Sequence, residues 1–176
     1  FYDVDSGEIL VDGVNINDIK KEELRDTIAI VLQDTVLFKD SIATNIKYGK
    51  LDATFDEMKE ASILANVNYF VKKMPERYDT LLTEGGGNIS QGQRQLLSIA
   101  RAVLADPKIL ILDEPCHGLD EQYREKVLQL MDKIASTGTT TLLHVTHDPS
   151  EILTCEKHIL ELHPNETPMY QIKILP

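Results

Sequence analysis

Three strand-like runs constrain this chain more than anything else in it: Ile28-Ala29-Ile30-Val31-Leu32, Ile109-Leu110-Ile111-Leu112 and Thr140 to Val145. The first two are continuously apolar, the pattern of a strand buried on both faces. Between the second and third lies Glu121 to Ala135, a helix with Val127, Leu128, Met131 and Ile134 facing inward and Gly138 at its end. Strands alternating with helices imply an α/β domain with a mostly parallel sheet. In such sheets chemistry collects beyond the carboxyl ends of the strands. Elsewhere, Glu8 to Val11 and Val14 to Ile16 read as a hairpin across Asp12-Gly13, and Lys21 to Asp26 as a short helix. Ser41 to Tyr48, Asp56 to Ala65 and Asn68 to Lys73 are helical, Thr83 to Gly87 is a glycine-rich loop, and Pro149 to Leu153 is a short helix. His158 to Leu162 and Tyr170 to Leu175 read as closing strands.

Composition excludes several classes. A length of 176 residues suits one domain with a core of its own. A net charge of -11 argues against a nucleic-acid partner, which calls for a basic face. No apolar run reaches membrane-spanning length, and the first residues lack the basic and apolar segments of a signal peptide. The chain starts without Met and reads as an excised piece. Cys116 and Cys155 have no disulfide or metal spacing and read as reduced thiols of a cytoplasmic protein.

Two places carry candidate chemistry. Asp113-Glu114 directly follows a buried strand, where one carboxylate can hold Mg²⁺ and its neighbour can orient or deprotonate a water. Taken alone, the pair also fits two solvated acids ending a strand. The second place is Ile89-Ser90-Gln91-Gly92-Gln93-Arg94-Gln95, which opens a helix with Leu96, Ile99, Ala100, Val103 and Leu104 on one face. Ser90 and Gln93 suit a capping box, and a small-residue helix start can present N–H groups to a phosphate. An ordinary capped helix reads the same way locally. Cys116-His117 beside the acids is not read as a metal site, because adjacent loop side chains rarely converge on one ion.

Ile89 to Glu114 resembles the signature helix and Walker B strand of ABC ATPases, with Ile-Ser-Gln-Gly-Gln where the family usually has Leu-Ser-Gly-Gly-Gln. The resemblance extends over nearly the whole chain. Phe1 to Val14 looks like the segment after the family's phosphate-loop helix, and Gln33 stands at the Q-loop position. Thr83-Glu84-Gly85-Gly86 resembles an exporter loop that contacts the membrane domain. Gly118-Leu119-Asp120 matches the D-loop, and His147 the switch histidine. The resemblance implies a P-loop NTPase fold with a helical signature subdomain over about 41–105 and a Walker B, D-loop and switch-histidine portion over 106–176. It implies ATP and Mg²⁺ as ligands. By resemblance Glu114 is the general base, Asp113 and Gln33 serve Mg²⁺ through water, and Gln33 and His147 reach the γ-phosphate and its water. Ser90, Gly92, Gln93 and Asp120 would serve an ATP shared with a second ABC ATPase subunit in a head-to-tail dimer. A transmembrane domain would dock near Gln33 and Glu84, at the inner face of a membrane.

No G-x-x-x-x-G-K-[ST] phosphate loop occurs in the sequence. The chain therefore reads as a single incomplete domain, its first strands and phosphate-loop helix missing, with weak or no ATP binding alone and some apolar sheet surface uncovered. Residues 1–112 resemble half-transporter exporters, whereas 113–176, with Pro115-Cys116-His117-Gly118, resemble a soluble ABC ATPase associated with molybdate transport. A chimera joined at Leu-Asp-Glu is the resulting expectation. The reading from a different class is a non-catalytic module that docks on a transporter partner without turnover.

Overall fold

The apolar runs lie side by side. A computed structural model of the chain describes residues 5–163 and 170–175; Phe1-Tyr2-Asp3, part of the resemblance, lies outside them. Strands β1 (Leu10–Val11) and β2 (Val14–Asn15) form the hairpin, Asn15 caps a 3-10 turn at Ile16–Asp18, and α1 (Lys21–Thr27) leads into β3 (Ile28–Val31). A helical stretch follows: α2 (Ile42–Lys47), α3 (Phe55–Leu64), α4 (Val67–Val71) and α5 (Gln91–Leu104). Then come β4 (Ile109–Asp113), α6 (Glu121–Ser136), β5 (Thr141–Val145) and a final antiparallel pair, β6 (His158–Leu162) and β7 (Tyr170–Ile174). The glycine-rich loop contains one 3-10 turn, Glu84–Gly86.

Strand β4 is the middle of a parallel sheet ordered β3-β4-β5. Ile28–Val31 pair with Ile109–Leu112, and Ile109–Asp113 pair with Thr141–Val145. The face bearing Val31, Leu110 and Leu112 is buried, with α5 against β3 and α6 against β5. On the opposite face Ile30, Leu143 and Val145 are 41%, 50% and 49% exposed, which is the uncovered apolar sheet surface anticipated from the sequence. Burying such residues contributes about 25 cal/mol per Å², so a covering element would add stability on this face.

Local signals set the helix starts. Ser41 caps α2, Thr54 and Glu57 form a capping box on α3, and Ser90 and Gln93 form another on α5. Glu57 also pairs with Lys50 at 2.5 Å, and together with the Thr54 cap this lowers its carboxyl to about 2. The end of α2 approaches α5 closely: a β-carbon at Gly49 would lie 2.0 Å from the Arg101 carbonyl oxygen. The missing side chain at Gly49 therefore permits the packing that buries Ile42, Ile46, Leu97 and Ile99 in the core.

Candidate functional site

The parallel register brings three nominated residues to one edge of the sheet. Val31 pairs with Leu112, and Asp113 pairs with Val145. Gln33, Glu114 and His147 each follow the last paired residue of neighbouring strands by one or two positions, so all leave the sheet at its carboxyl end. Asp113 ends β4 half-buried, and Gln33 is exposed. Glu114 turns the chain through a left-handed backbone, φ 47, a conformation that costs a non-glycine residue of order 1 kcal/mol. It is held there from both sides, since its N–H donates to the Val145 carbonyl at 2.9 Å and its carbonyl accepts from the His117 N–H at 3.0 Å.

That turn aims the Glu114 side chain at His147. The carboxylate Oε1 lies 2.7 Å from His147 Nδ1. The Glu114 side chain is 20% exposed and the imidazole 74%. The hydrogen bond to Glu114, and then its negative charge, raise the His147 pKa above the ordinary imidazole value. A sheltered carboxylate with an imidazole against it can hold a water and take its proton, while the imidazole's other nitrogen remains free to meet an anion.

The start of α5 is built by its own side chains. Ser90 Oγ accepts from the Gln93 N–H at 3.2 Å, and Gln93 Oε1 accepts from the Ser90 N–H at 3.0 Å. Gln93 is thus engaged in the cap, and the Ser90 hydroxyl retains its proton for another acceptor. Gln91, the departure from the family pattern, donates from Nε2 to the His117 carbonyl at 3.0 Å, which ties the helix start to the loop after Glu114. Gly92 packs against the ring of Tyr123 from α6. Asp120 Oδ1 accepts from the Tyr123 N–H at 3.0 Å and so caps α6.

The family model described as ABC transporter matches residues 1–117. This chain belongs to the ABC transporter family. Among its relatives, the ABC transporter ATP-binding protein YfiC of Bacillus subtilis is 42% identical over 143 residues, covering 81% of this chain and 24% of that protein. The mitochondrial iron-sulfur clusters transporter atm1 of Aspergillus fumigatus is 41% identical over 147 residues, covering 84% of this chain and 20% of that protein. A bacterial Atm1-family ABC exporter solved with ATP bound superposes with a TM-score of 0.82 at 36% identity, over 90% of this chain and 27% of that one. The chain therefore spans about a quarter of the lengths of these three relatives. An alignment of 147 residues within 176 necessarily crosses Leu112-Asp113, so the similarity to one transporter does not stop where the chimera expectation puts its seam.

Within the ABC domain, other residues take definite places. Glu84 is exposed on its 3-10 turn. Cys116 is 4% exposed, and burial raises its thiol to about 12; it stays protonated and is a poor metal ligand or nucleophile. No group of three or more His, Cys, Asp or Glu able to hold a metal occurs among the described residues. Sequence reasoning missed Asn45, Arg101 and Arg124. Asn45 is 1% exposed and bonds the chain at Phe38 and Ser41 as well as Arg101. A polar residue among the apolar positions of α2 was the available signal.

Proposed function

We propose that this chain acts as an ATP-binding and ATP-hydrolysing part of an ABC exporter, coupling hydrolysis to transport. The observation that carries the reading is the 2.7 Å contact between Glu114 and His147 at the carboxyl end of the central strand. Glu114 is the general base that takes the proton of the attacking water. His147 steadies that carboxylate and meets the γ-phosphate through its other nitrogen, and Gln33 completes the edge. This spends interaction on charge that develops during phosphoryl transfer.

Mg²⁺ suits Asp113. The ion takes one or two carboxylates and completes its octahedron with phosphate oxygens and water rather than a protein cage. A single half-buried carboxylate, with no larger acidic cluster among the described residues, fits that demand. When bound, the ion neutralises charge on the phosphates.

Ser90, Gly92, Gln93 and Asp120 belong to the half of the site that faces the ATP of a second ABC ATPase subunit. Gln33 and Glu84 mark the side toward a transmembrane domain. Residues 41–105 form the helical subdomain of one ABC ATPase domain, working at the cytoplasmic face of a membrane. The 176 residues contain no phosphate loop, so on their own they bind ATP weakly, and hydrolysis at Glu114 needs a phosphate loop placed on its own side of the site.

The test is a titration of the chain with a fluorescent ATP analogue and Mg²⁺, alone and with a complete ABC ATPase subunit. The expected result is no saturable binding alone, ATP-dependent association with the complete subunit through the Ser90 half, and, when a phosphate-loop segment is joined to the chain, hydrolysis that Glu114→Gln abolishes. Tight Mg²⁺-dependent binding by the chain alone would remove the incomplete-site claim. Association indifferent to ATP would replace the enzyme by a docking module.

A further inference from the structure

The loop that carries His147 is fastened to α6 by a network outside every recognised motif. Arg124 donates from Nη2 to Asp148 Oδ2 at 2.8 Å and from Nε to Glu151 Oε1 at 3.2 Å, and it also donates to Ser150 Oγ. Glu151 is 7% exposed, rare for a carboxylate unless it is paired. Its other oxygen accepts from Thr146 Oγ1 at 2.7 Å. The Asp148 N–H donates back to Thr146 Oγ1 at 3.1 Å, and Asp148 Oδ1 accepts from the Ser150 N–H at 2.9 Å. Both chain neighbours of His147 thus belong to one network, and among the described residues its one cation is Arg124.

Arg124 is itself fixed. Its N–H bonds the Asp120 carbonyl at 2.9 Å, so it stands one turn into α6. The preceding residue, Tyr123, lies against Gly92 at the start of α5. The first turn of α6 therefore touches the Ser90–Gly92 turn with one side chain and grips the His147 loop with the next.

We propose that Arg124 is the positioning residue for His147, holding the Thr146–Glu151 loop so that the imidazole meets Glu114. The inference rests on the reading of Glu114 and His147 as working residues, but its geometry can be measured without ATP. Removing the guanidinium leaves the Glu151 carboxylate buried without its cation, an unfavourable state. The loop relieves it by swinging Glu151 toward water, and Thr146, His147 and Asp148 move with it. A salt bridge that served stability alone would leave the ring in place.

The test is ¹H–¹⁵N correlation of the His147 ring in the unliganded chain, comparing wild type, Arg124→Met, Arg124→Lys and Asp148→Asn, with Glu114→Gln as the reference for a broken contact. Arg124→Met keeps the apolar stem and is expected to move the His147 ring shifts most of the way to the Glu114→Gln values. Arg124→Lys should recover about half of that displacement. Asp148→Asn, which keeps the Ser150 bond but removes one charge partner, should give a smaller displacement in the same direction and stands in if Arg124→Met fails to fold. Wild-type ring shifts in Arg124→Met, or in Asp148→Asn if that is the variant that folds, would overturn the proposal, even with a lowered Tm. Absence of ATP hydrolysis when a phosphate-loop segment is joined to the chain would count against the enzymatic reading alone, because the ring measurement involves no nucleotide.

Discussion

A β-carbon placed on Gly92 would sit 2.2 Å from Cγ of Tyr123. The glycine of the signature turn is therefore required by packing between α5 and α6, whatever ligand the turn also meets. Gly92→Ala should gain about 1 kcal/mol of helix propensity yet lose about 1–3 kcal/mol to overpacking, for a net loss. In a Tyr123→Ala background the clash is gone, and the same change should be neutral or stabilising. Urea unfolding of the four members of this cycle checks it. Equal destabilisation in both backgrounds would remove Tyr123 as the cause.

The contact of His147 with Glu114 sets a pH dependence. The hydrogen bond and charge of Glu114 raise the imidazole pKa, with smaller contributions from Glu151 and Asp148. A raised folded-state value means that the native chain holds the proton more tightly than the unfolded one. The stabilisation is complete below the unfolded-state imidazole value and is lost as pH rises through the higher folded-state value. An NMR titration of the His147 ring should place its midpoint above that of an ordinary histidine, and Glu114→Gln should bring it back down. A midpoint that ignores Glu114→Gln would mean that the two residues do not meet in solution.

Asp120 separates a structural role from a ligand role. Its carboxylate caps α6 through the Tyr123 N–H. Asp120→Asn keeps an oxygen there and should hold stability within a few tenths of a kcal/mol, whereas Asp120→Ala should cost about 1 kcal/mol. If Asp120 also serves ATP-dependent pairing with a second subunit, Asp120→Asn should weaken that pairing without lowering the unfolding midpoint. Equal stability of the Ala and Asn variants would rule out the cap.

What could be read in advance follows from how local each signal is. The capping box of Ser90 and Gln93 spans four residues and folds as written, because both of its bonds form within one helical turn. The strands Ile28 to Leu32 and Ile109 to Leu112 announce themselves by unbroken apolar character, and their parallel pairing follows from the helices between them. The meeting of Glu114 with His147 depends on the register of β4 with β5 and on the left-handed turn at Glu114, and no neighbouring residue encodes that turn. The packing demand on Gly92 is likewise not local, because the ring beside it belongs to Tyr123, thirty-one positions away. Arg124 and Glu151 look like solvated charges in sequence. Only the fold shows that they are partners across twenty-seven positions.

Asn45 gives the largest stability prediction. Its Oδ1 accepts from the Phe38 N–H at 2.9 Å and from Arg101 Nη2 at 3.1 Å, while Nδ2 donates to the Phe38 and Ser41 carbonyls at 3.0 Å each. Arg101, whose pKa burial lowers, also donates to the carbonyls of Asn45 and Val36 at 2.9 Å each. These bonds fasten the segment that follows Gln33 to α2 and α5. Asn45→Ala leaves several sheltered groups without partners and should cost about 2–3 kcal/mol. Asn45→Asp keeps the acceptor for Arg101 and loses the two donations, so it should fall between Ala and wild type. Hydrogen exchange at the Phe38 amide should accelerate in Asn45→Ala by more than the change in global stability explains, because its acceptor has been deleted. Exchange there that simply tracks global unfolding would mean that the segment after Gln33 is held by packing of Leu37 and Phe38, and that the Asn45–Arg101 pair does not control it.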